Sequence, residues 1–249
     1  MTRTFDRLQA IDALRGLVIL IMMLDHVRET FYLHHQVTDP MVIADTEGFL
    51  FFSRTLAHLC APVFVILTGL SAYLYQAKYN SLTKTREFLL KRGFFLIFLE
   101  LVVINFAWTG QFPPDVIYLQ VIWAIGLSMV ALSLLIGFSK KWLWIISLFI
   151  IFGHNLLEKI SFVDMPLLQN FWFIFYERGW IELGGIRLRT SYPVLPWIGI
   201  ITLGYCIGSR LFDSKQESHN RNIALLSIGV ISISLFFILR FINLYGDQA

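Results

Sequence analysis

The chain alternates long apolar stretches with short polar connections. Its first stretch is apolar on every side of a helix between Leu17 and Leu24, whereas a soluble helix carries one apolar stripe. A helix of that kind belongs in a bilayer or in a very large core. Stretches of similar length and hydropathy follow, each near the length that crosses a bilayer. We predict seven spans, at 10–32, 49–75, 88–108, 116–138, 142–158, 194–212 and 222–241.

The composition places this pattern in one fold class. With 57% hydrophobic and only 15% charged residues, the chain is too apolar for a water-soluble domain. A helix satisfies its own backbone in lipid, and the period-two alternation of a membrane barrel is absent, so we predict an all-α transmembrane bundle. Residues 1–249 are expected to form one domain. The formal charge of +3 gives no support to a nucleic-acid partner.

The connections indicate the orientation of the bundle. Lys and Arg are concentrated at the amino terminus and in the second, fourth and sixth connections, whereas 33–48 and 109–115 contain neither. Because cytoplasmic loops carry the excess of positive charge, we predict a cytoplasmic amino terminus. The long outer connection, 159–192, contains six aromatic residues between 171 and 180 and is predicted to lie as a flap at the headgroup level.

With the spans oriented in this way, polar residues from five of them fall in the outer half of the bundle. Ionisable side chains are costly inside a membrane, and they usually face an aqueous cavity or one another. We therefore predict a hydrated pocket open to the outside. Its residues are expected to be Asp25, His26, Arg28, Arg54, His58, Gln120, Trp123, His154, Asn155 and Trp197.

This set of residues suits acyl transfer. A histidine can take a proton from an amine or hydroxyl, and nearby cations can stabilise the developing oxyanion. We expect His26 to be the first-choice base and His58 the second, with Arg28 and Arg54 holding anionic parts of the substrates. Simpler roles stay open: a solvated helix end for Asp25 and His26, a structural ion pair of Arg54 with Asp25, and a helix cap for His154.

Several further features of the spans carry expectations. Asp25 and His26 are adjacent and point about 100° apart on a helix, so Asp25 is expected to pair with Arg54 instead. Pro62 cannot donate a hydrogen bond to the carbonyl of His58 and predicts a kink there. Gly69 is expected at a close helix contact. Glu100 is a buried acid outside the predicted pocket.

Ordered motifs connect the chain to a known family. The segments DRLQAIDALRGLVILIMMLDHVR, FSRTLAHLCAPVFVILTGLSA, LQVIWAIGLSM and YPVLPWIGIITLGYCIG resemble bacterial membrane proteins grouped with the heparan-alpha-glucosaminide N-acetyltransferase catalytic domain. The resemblance implies acetyl transfer from cytosolic acetyl-CoA to an acceptor on the far side. In the eukaryotic branch of the family an asparagine stands at the position of His26, and the essential histidine lies in the loop just after the first span, where His34 and His35 are the nearest candidates. Family members usually continue into further spans, so this chain is expected to be a short variant or a fragment.

The donor and acceptor follow from this resemblance. The phosphates of acetyl-CoA need cations at the cytoplasmic face, and the densest group is Lys84, Arg86, Lys91 and Arg92. We expect a bacterial inner-membrane acetyltransferase that uses no metal, and its acceptor is expected to be a cell-envelope sugar or a small amine. A proton-coupled transporter and a structural membrane subunit are the alternatives. Cys60 and Cys206 have no metal-ligand spacing and are expected to pack as apolar residues.

Overall fold

The protein folds mainly into helices. The computed structural model describes residues 9–31, 48–212 and 218–242. Many large apolar side chains lie on the surface, and Leu20, Phe149 and Ile231 are each more than 60% exposed. Exposed apolar patches of this extent mark an interaction surface, and lipid is a medium that such a surface suits. The arrangement therefore fits a membrane protein.

Helices occupy each of the seven predicted stretches. Two helical stretches, Gly48–Tyr79 and Leu195–Phe212, are long and apolar enough to cross a bilayer in the described part of the chain, so seven crossings and their orientation stay predictions. The α-helices are α1 Gln9–Phe31, α2 Gly48–Ala57, α3 Cys60–Tyr79, α4 Leu82–Phe98, α5 Asn105–Thr109, α6 Val121–Leu135, α7 Lys140–Gly153, α8 Pro166–Phe175, α9 Leu195–Phe212 and α10 Ser218–Ile242.

The second predicted span is divided where the sequence predicts a kink. Helix α2 ends at Ala57 and α3 begins at Cys60, with His58 and Leu59 in a turn. Pro62 lies in the first turn of α3, where its missing N–H costs least. The side chain of His58, in this turn, is exposed.

The core is built on close contact between α3 and α9. Gly69 lies against the backbone of Ile201, and Gly204 lies against the backbone of Ile66, so that a Cβ atom at either glycine would collide with a carbonyl oxygen. Small residues permit this approach because no side chain separates the two helices. The predicted close contact at Gly69 is confirmed. Around it the buried core includes Val65, Leu89, Leu132, Ile201 and Tyr205.

A π-helical segment, Leu99–Ile104, interrupts the regular helix between α4 and α5. Earlier in the chain, Gly93 of α4 packs on Gly126 of α6, and the two backbones are again close. Asn105, which follows the segment, is almost fully buried. Its Nδ2 donates to the Glu100 carbonyl at 2.7 Å, and its Oδ1 accepts from Tyr118 N–H at 2.6 Å. Through these hydrogen bonds Asn105 connects the π-helical segment to the next element of the chain.

That element is a strand, so the chain is mainly helical, as predicted, but it also contains a small sheet that the all-α prediction did not include. Strands β1 Val116–Leu119, β2 Gly179–Leu183 and β3 Ile186–Thr190 form a sheet in the order β1-β3-β2. β1 runs parallel to β3, and β2 is antiparallel to β3. The fourth predicted span begins as β1, and its helix starts only at Val121, after Gln120 in extended conformation. The predicted outer flap contains α8, β2 and β3.

The glycine contact gives a direct test of the packing. We expect Gly69→Ala to destabilise the protein by about 1–3 kcal/mol, the usual cost of overpacking a filled core. Gly16→Ala is the matched control, because nothing lies within 4 Å of a Cβ at Gly16. Thermal unfolding in detergent measures both. Equal midpoints for Gly69→Ala and the parent would contradict the contact.

Candidate functional site

An ion pair joins the first two helices. Arg54 Nη1 of α2 donates to Asp25 Oδ2 of α1 at 2.7 Å. Asp25 is 8% exposed, and the side chain of Arg54 is 31% exposed. Burying one ion alone costs several kcal/mol, so each partner offsets part of the free-energy cost of burying the other. The predicted pairing of Asp25 with Arg54 is confirmed.

His58 is attached to the same cluster through the backbone. Its Nδ1 lies 2.8 Å from the Arg54 carbonyl oxygen. A carbonyl oxygen only accepts hydrogen bonds, so Nδ1 carries the proton, and in the neutral ring Nε2 carries the lone pair. This contact fixes both the ring orientation and the tautomer. In that tautomer Nε2 is the ring nitrogen that can accept a proton.

His26 follows Asp25 on α1 but faces a different neighbour. Its ring meets that of Trp108 of α5 edge to face, with centroids 5.9 Å apart and planes at 64°. His26 is exposed, whereas Asp25 is buried. The two side chains therefore diverge as helix geometry requires, and they do not form a side-by-side dyad.

Glu100, which the sequence analysis placed outside the pocket, contacts the start of α6, where Gln120 and Trp123 lie. Glu100 is 1% exposed, and its Oε2 accepts a hydrogen bond from Trp123 N–H at 3.1 Å. Gln120 occupies the N-cap position of α6, but its side chain does not cap the helix. Glu100 supplies the missing acceptor from another helix, where a carboxylate also meets the positive end of the helix dipole. Its Oε1 has no hydrogen-bond partner among the described residues.

His154 and Trp197 have local partners. His154 Nδ1 lies 3.1 Å from the Ile150 carbonyl and 2.9 Å from that of Ile151, so the ring caps the end of α7. This geometry supports the capping alternative for His154. Asn155, half-buried, continues into the 3₁₀ turn His154–Leu157. Trp197 packs against Tyr192, with ring centroids 5.6 Å apart.

A second polar contact lies nearer the start of α1. Arg15 Nη1 is 3.2 Å from Asp12 Oδ1, and Arg15 also donates to the Ser71 hydroxyl of α3. Ser71 in turn donates to the Leu67 carbonyl at 2.6 Å. Nothing in the pattern of the sequence indicates this contact between α1 and α3.

The cations predicted to hold the donor divide into two kinds. Arg86 Nε donates to the Ser133 carbonyl of α6 at 3.1 Å, and Lys91 forms an exposed ion pair with Glu87 at 2.6 Å. The hydrogen bond from Lys91 lowers the pKa of Glu87 below its ordinary value. Lys84 and Arg92 instead lie beside an aromatic cluster.

The aromatic cluster consists of Tyr75, Tyr79 and Phe88. Tyr75 stacks on Phe88 with centroids 4.1 Å apart, and it contacts Tyr79 at 4.5 Å. Arg92 lies 4.8 Å from the Phe88 centroid, and Lys84 lies 5.9 Å from that of Tyr79. Both distances are within the range of cation–π attraction. Lys78 also lies 5.5 Å from the Tyr79 centroid, so the cluster combines flat aromatic surface with three cations.

Three predicted residues fall outside the part of the chain that can be assessed. His34 and His35 are not among the described residues, and for Arg28 only the backbone is described. In the ranges 9–31, 48–212 and 218–242, no group of three or more His, Cys, Asp or Glu side chains could hold a metal ion. Convergence of all the predicted residues on one pocket stays a prediction.

Comparison with known proteins adds a family to this geometry. Residues 7–240 match the family model described as heparan-alpha-glucosaminide N-acetyltransferase, catalytic. The match covers nearly the whole chain and includes every element described above from α1 to α9. No curated protein and no solved structure matches the chain significantly.

The ion pair can be tested by its stability. Asp25→Asn leaves Arg54 without its carboxylate, and breaking a buried pair costs about 3–5 kcal/mol. We expect a loss near the lower end of that range, because Arg54 is 31% exposed. The double variant with Arg54→Gln should recover part of the loss. Glu87→Gln, which breaks an exposed pair, should leave the unfolding midpoint unchanged; an equally stable Asp25→Asn would show that the buried pair contributes nothing.

The cap on α6 can be tested separately. Glu100→Ala removes the acceptor for Trp123 N–H, and a buried unsatisfied donor costs about 1–3 kcal/mol. Glu100→Gln keeps an acceptor oxygen at that position and should lose much less stability. Glu87→Ala, at an exposed acid of α4, is the control. Chemical unfolding in detergent gives the comparison, and the capping role fails if the alanine and glutamine variants at position 100 are equally stable.

Proposed function

Because this chain belongs to the heparan-alpha-glucosaminide N-acetyltransferase catalytic family, we propose that it is an integral membrane acetyltransferase. It moves the acetyl group of cytosolic acetyl-CoA to a sugar or amine acceptor on the outer side of the membrane. Acyl transfer in general follows from the family. The acetyl donor, the acceptor class and the direction are parts of the proposal.

The observation that carries this proposal is the cluster of Asp25, Arg54 and His58, with His26 next to Asp25. A buried ion pair with two adjoining histidines is costly to keep among apolar helices, and such groups in a membrane usually mark a functional site. The paired charges join α1 to α2, and we expect the acceptor to meet the donor near this pair. The same residues supply a base and a positive charge, the two requirements of acyl transfer.

The reaction can be written with these residues in named roles. His26, the first-choice base, takes a proton from the acceptor amine or hydroxyl as its nitrogen or oxygen attacks the thioester carbonyl. The tetrahedral oxyanion collapses, the carbon–sulfur bond breaks, and the coenzyme A thiolate leaves and takes up the proton. Arg54, partly exposed beside Asp25, stabilises negative charge. His58, with Nδ1–H held by the Arg54 carbonyl, is the second candidate base.

The donor nucleotide is proposed to bind at the aromatic cluster near the start of α4. Tyr75, Tyr79 and Phe88 offer flat surfaces for the adenine, and Lys84 and Arg92 offer charge for the phosphates. Arg86 and Lys91, predicted with them, already contact Ser133 and Glu87 and contribute through the local field.

The topology completes the proposal. The amino terminus and the aromatic cluster would face the cytoplasm, and the sheet and His26 would face outward, with seven crossings of the bacterial inner membrane. One domain comprises residues 1–249. A cell-envelope sugar or a small amine is then the acceptor that the outward site can reach.

A proton-coupled transporter is the second candidate function. Buried Asp25 and Glu100, which lie on different helices, are the observations that favour it, since intramembrane acids also serve as proton relays. A transporter would bind its solute without consuming acetyl-CoA. Release of free coenzyme A thiol by the purified protein therefore separates the two functions.

The histidines give the sharpest test of the mechanism. We expect His26→Ala to fold and to bind acetyl-CoA but to lose roughly 100-fold or more in transfer rate, the usual contribution of a general base. His154→Ala is the matched control, because that ring caps α7, and it should retain transfer. Labelled acetyl-CoA with glucosamine as acceptor measures the rates. Full activity in His26→Ala with loss in His58→Ala would move the base to His58, and full activity in both would exclude this mechanism.

A further inference from the structure

Two arginines and a tryptophan share one face of the three-stranded sheet. Arg189 of β3 pairs in register with Trp180 of β2, and Arg187 lies two residues earlier on β3. Their guanidinium carbons lie 5.1 Å and 5.8 Å from the centroid of the Trp180 ring. The ring is well exposed, since Trp180 is 47% accessible. Both cations are thus held at one aromatic side chain.

The sheet makes this arrangement rigid. Side chains alternate between the two faces of a strand, so Arg187, Arg189 and Trp180 point away from the face that carries Ile181 and Thr190. Ile181 and Thr190 are nearly inaccessible, and Thr190 Oγ1 also accepts from Gly179 N–H at 2.7 Å. The sheet is therefore buried at Ile181 and Thr190, and the two arginines lie on its opposite face.

The two guanidinium groups have no carboxylate partner among the described residues. Glu182 occupies the register position that faces Arg187, yet no ion pair forms between them. A cation–π contact engages the charge of a guanidinium but not its N–H donors. Two such groups side by side match the planar, bidentate geometry in which arginine binds phosphate or carboxylate.

The position of this face relates it to the candidate site. β1 and β3 run parallel, and the Leu119 carbonyl at the end of β1 accepts from Ser191 and Tyr192 N–H at 3.1 Å and 3.3 Å. β1 leads directly into Gln120 and α6, and β3 leads into α9, which carries Trp197. The strands that carry the polar face are therefore connected along the chain to the start of both helices.

We propose that Arg187, Arg189 and Trp180 form a binding site for an anionic group, a phosphate, sulfate or carboxylate, carried by the acceptor. The word acceptor rests on the proposed function, whereas the anion site rests on the sheet. The site selects acceptors with a negative charge beside the sugar ring or amine. It acts before the chemical step, by binding the charged group of the acceptor.

Binding to the full chain in detergent, measured by calorimetry without donor, tests this site. The probes are glucosamine 6-phosphate and glucosamine, which differ only in the phosphate. We expect the phosphorylated probe to bind more tightly, and Arg187→Gln with Arg189→Gln to weaken it about 10- to 100-fold, the scale of lost charge-assisted hydrogen bonds. Glucosamine binding should not change in the double variant. Arg178→Gln is the matched control, since Arg178 is exposed just before β2.

The outcomes are distinct. Equal binding of the two probes by the parent, or unchanged binding by a double variant that unfolds at the parent temperature, would overturn the site. Nanodiscs with anionic or zwitterionic lipid form a second arm: if anionic lipid abolishes probe binding through these arginines, the ligand is a headgroup and the acceptor assignment falls. Arginine-dependent binding without acetyl transfer would uphold the anion site and count against the proposed function.

Discussion

A carboxylate buried among apolar helices needs a cation, and Asp25 meets that need through Arg54, whose Nη1 lies 2.7 Å from its Oδ2. Both candidate bases, His26 and His58, also lie next to this ion pair along the chain or through the backbone. The backbone carbonyl oxygen of Arg54 lies 2.8 Å from His58 Nδ1, which places the proton of the neutral ring on Nδ1. With Asp25 facing inward, helix geometry directs His26 elsewhere, to Trp108.

The rest of the bundle supplies a frame that keeps this pair in position. Where α3 meets α9, Gly69 and Gly204 replace side-chain packing with backbone contact. Helix α6 is held by a hydrogen bond instead, because Glu100 of the π-helical segment caps its first turn. Close backbone approach and complete use of polar groups are the main sources of helix association in lipid, where burial of apolar surface gives little advantage.

The parts of this architecture that sequence reasoning found are those governed by local pattern or by charge. Apolar length located the helices, Pro62 predicted the break at His58, and matched depth predicted the partner of Asp25. Strand β1 was missed because its four apolar residues run into the apolar start of α6 without a change that periodicity detects. The sequence analysis placed Glu100 outside the predicted pocket because its partner is a backbone amide 23 residues away, which no side-chain pattern reveals.

The measurement that tests the account most directly is acetyl transfer across a sealed membrane. Inside-out bacterial membrane vesicles containing the full chain are loaded with glucosamine, and labelled acetyl-CoA is added outside, on the cytoplasmic face. The account predicts labelled N-acetylglucosamine within the vesicles and free coenzyme A outside, both dependent on this chain. Label that stays in acetyl-CoA, or product that forms only on the donor side, would contradict it.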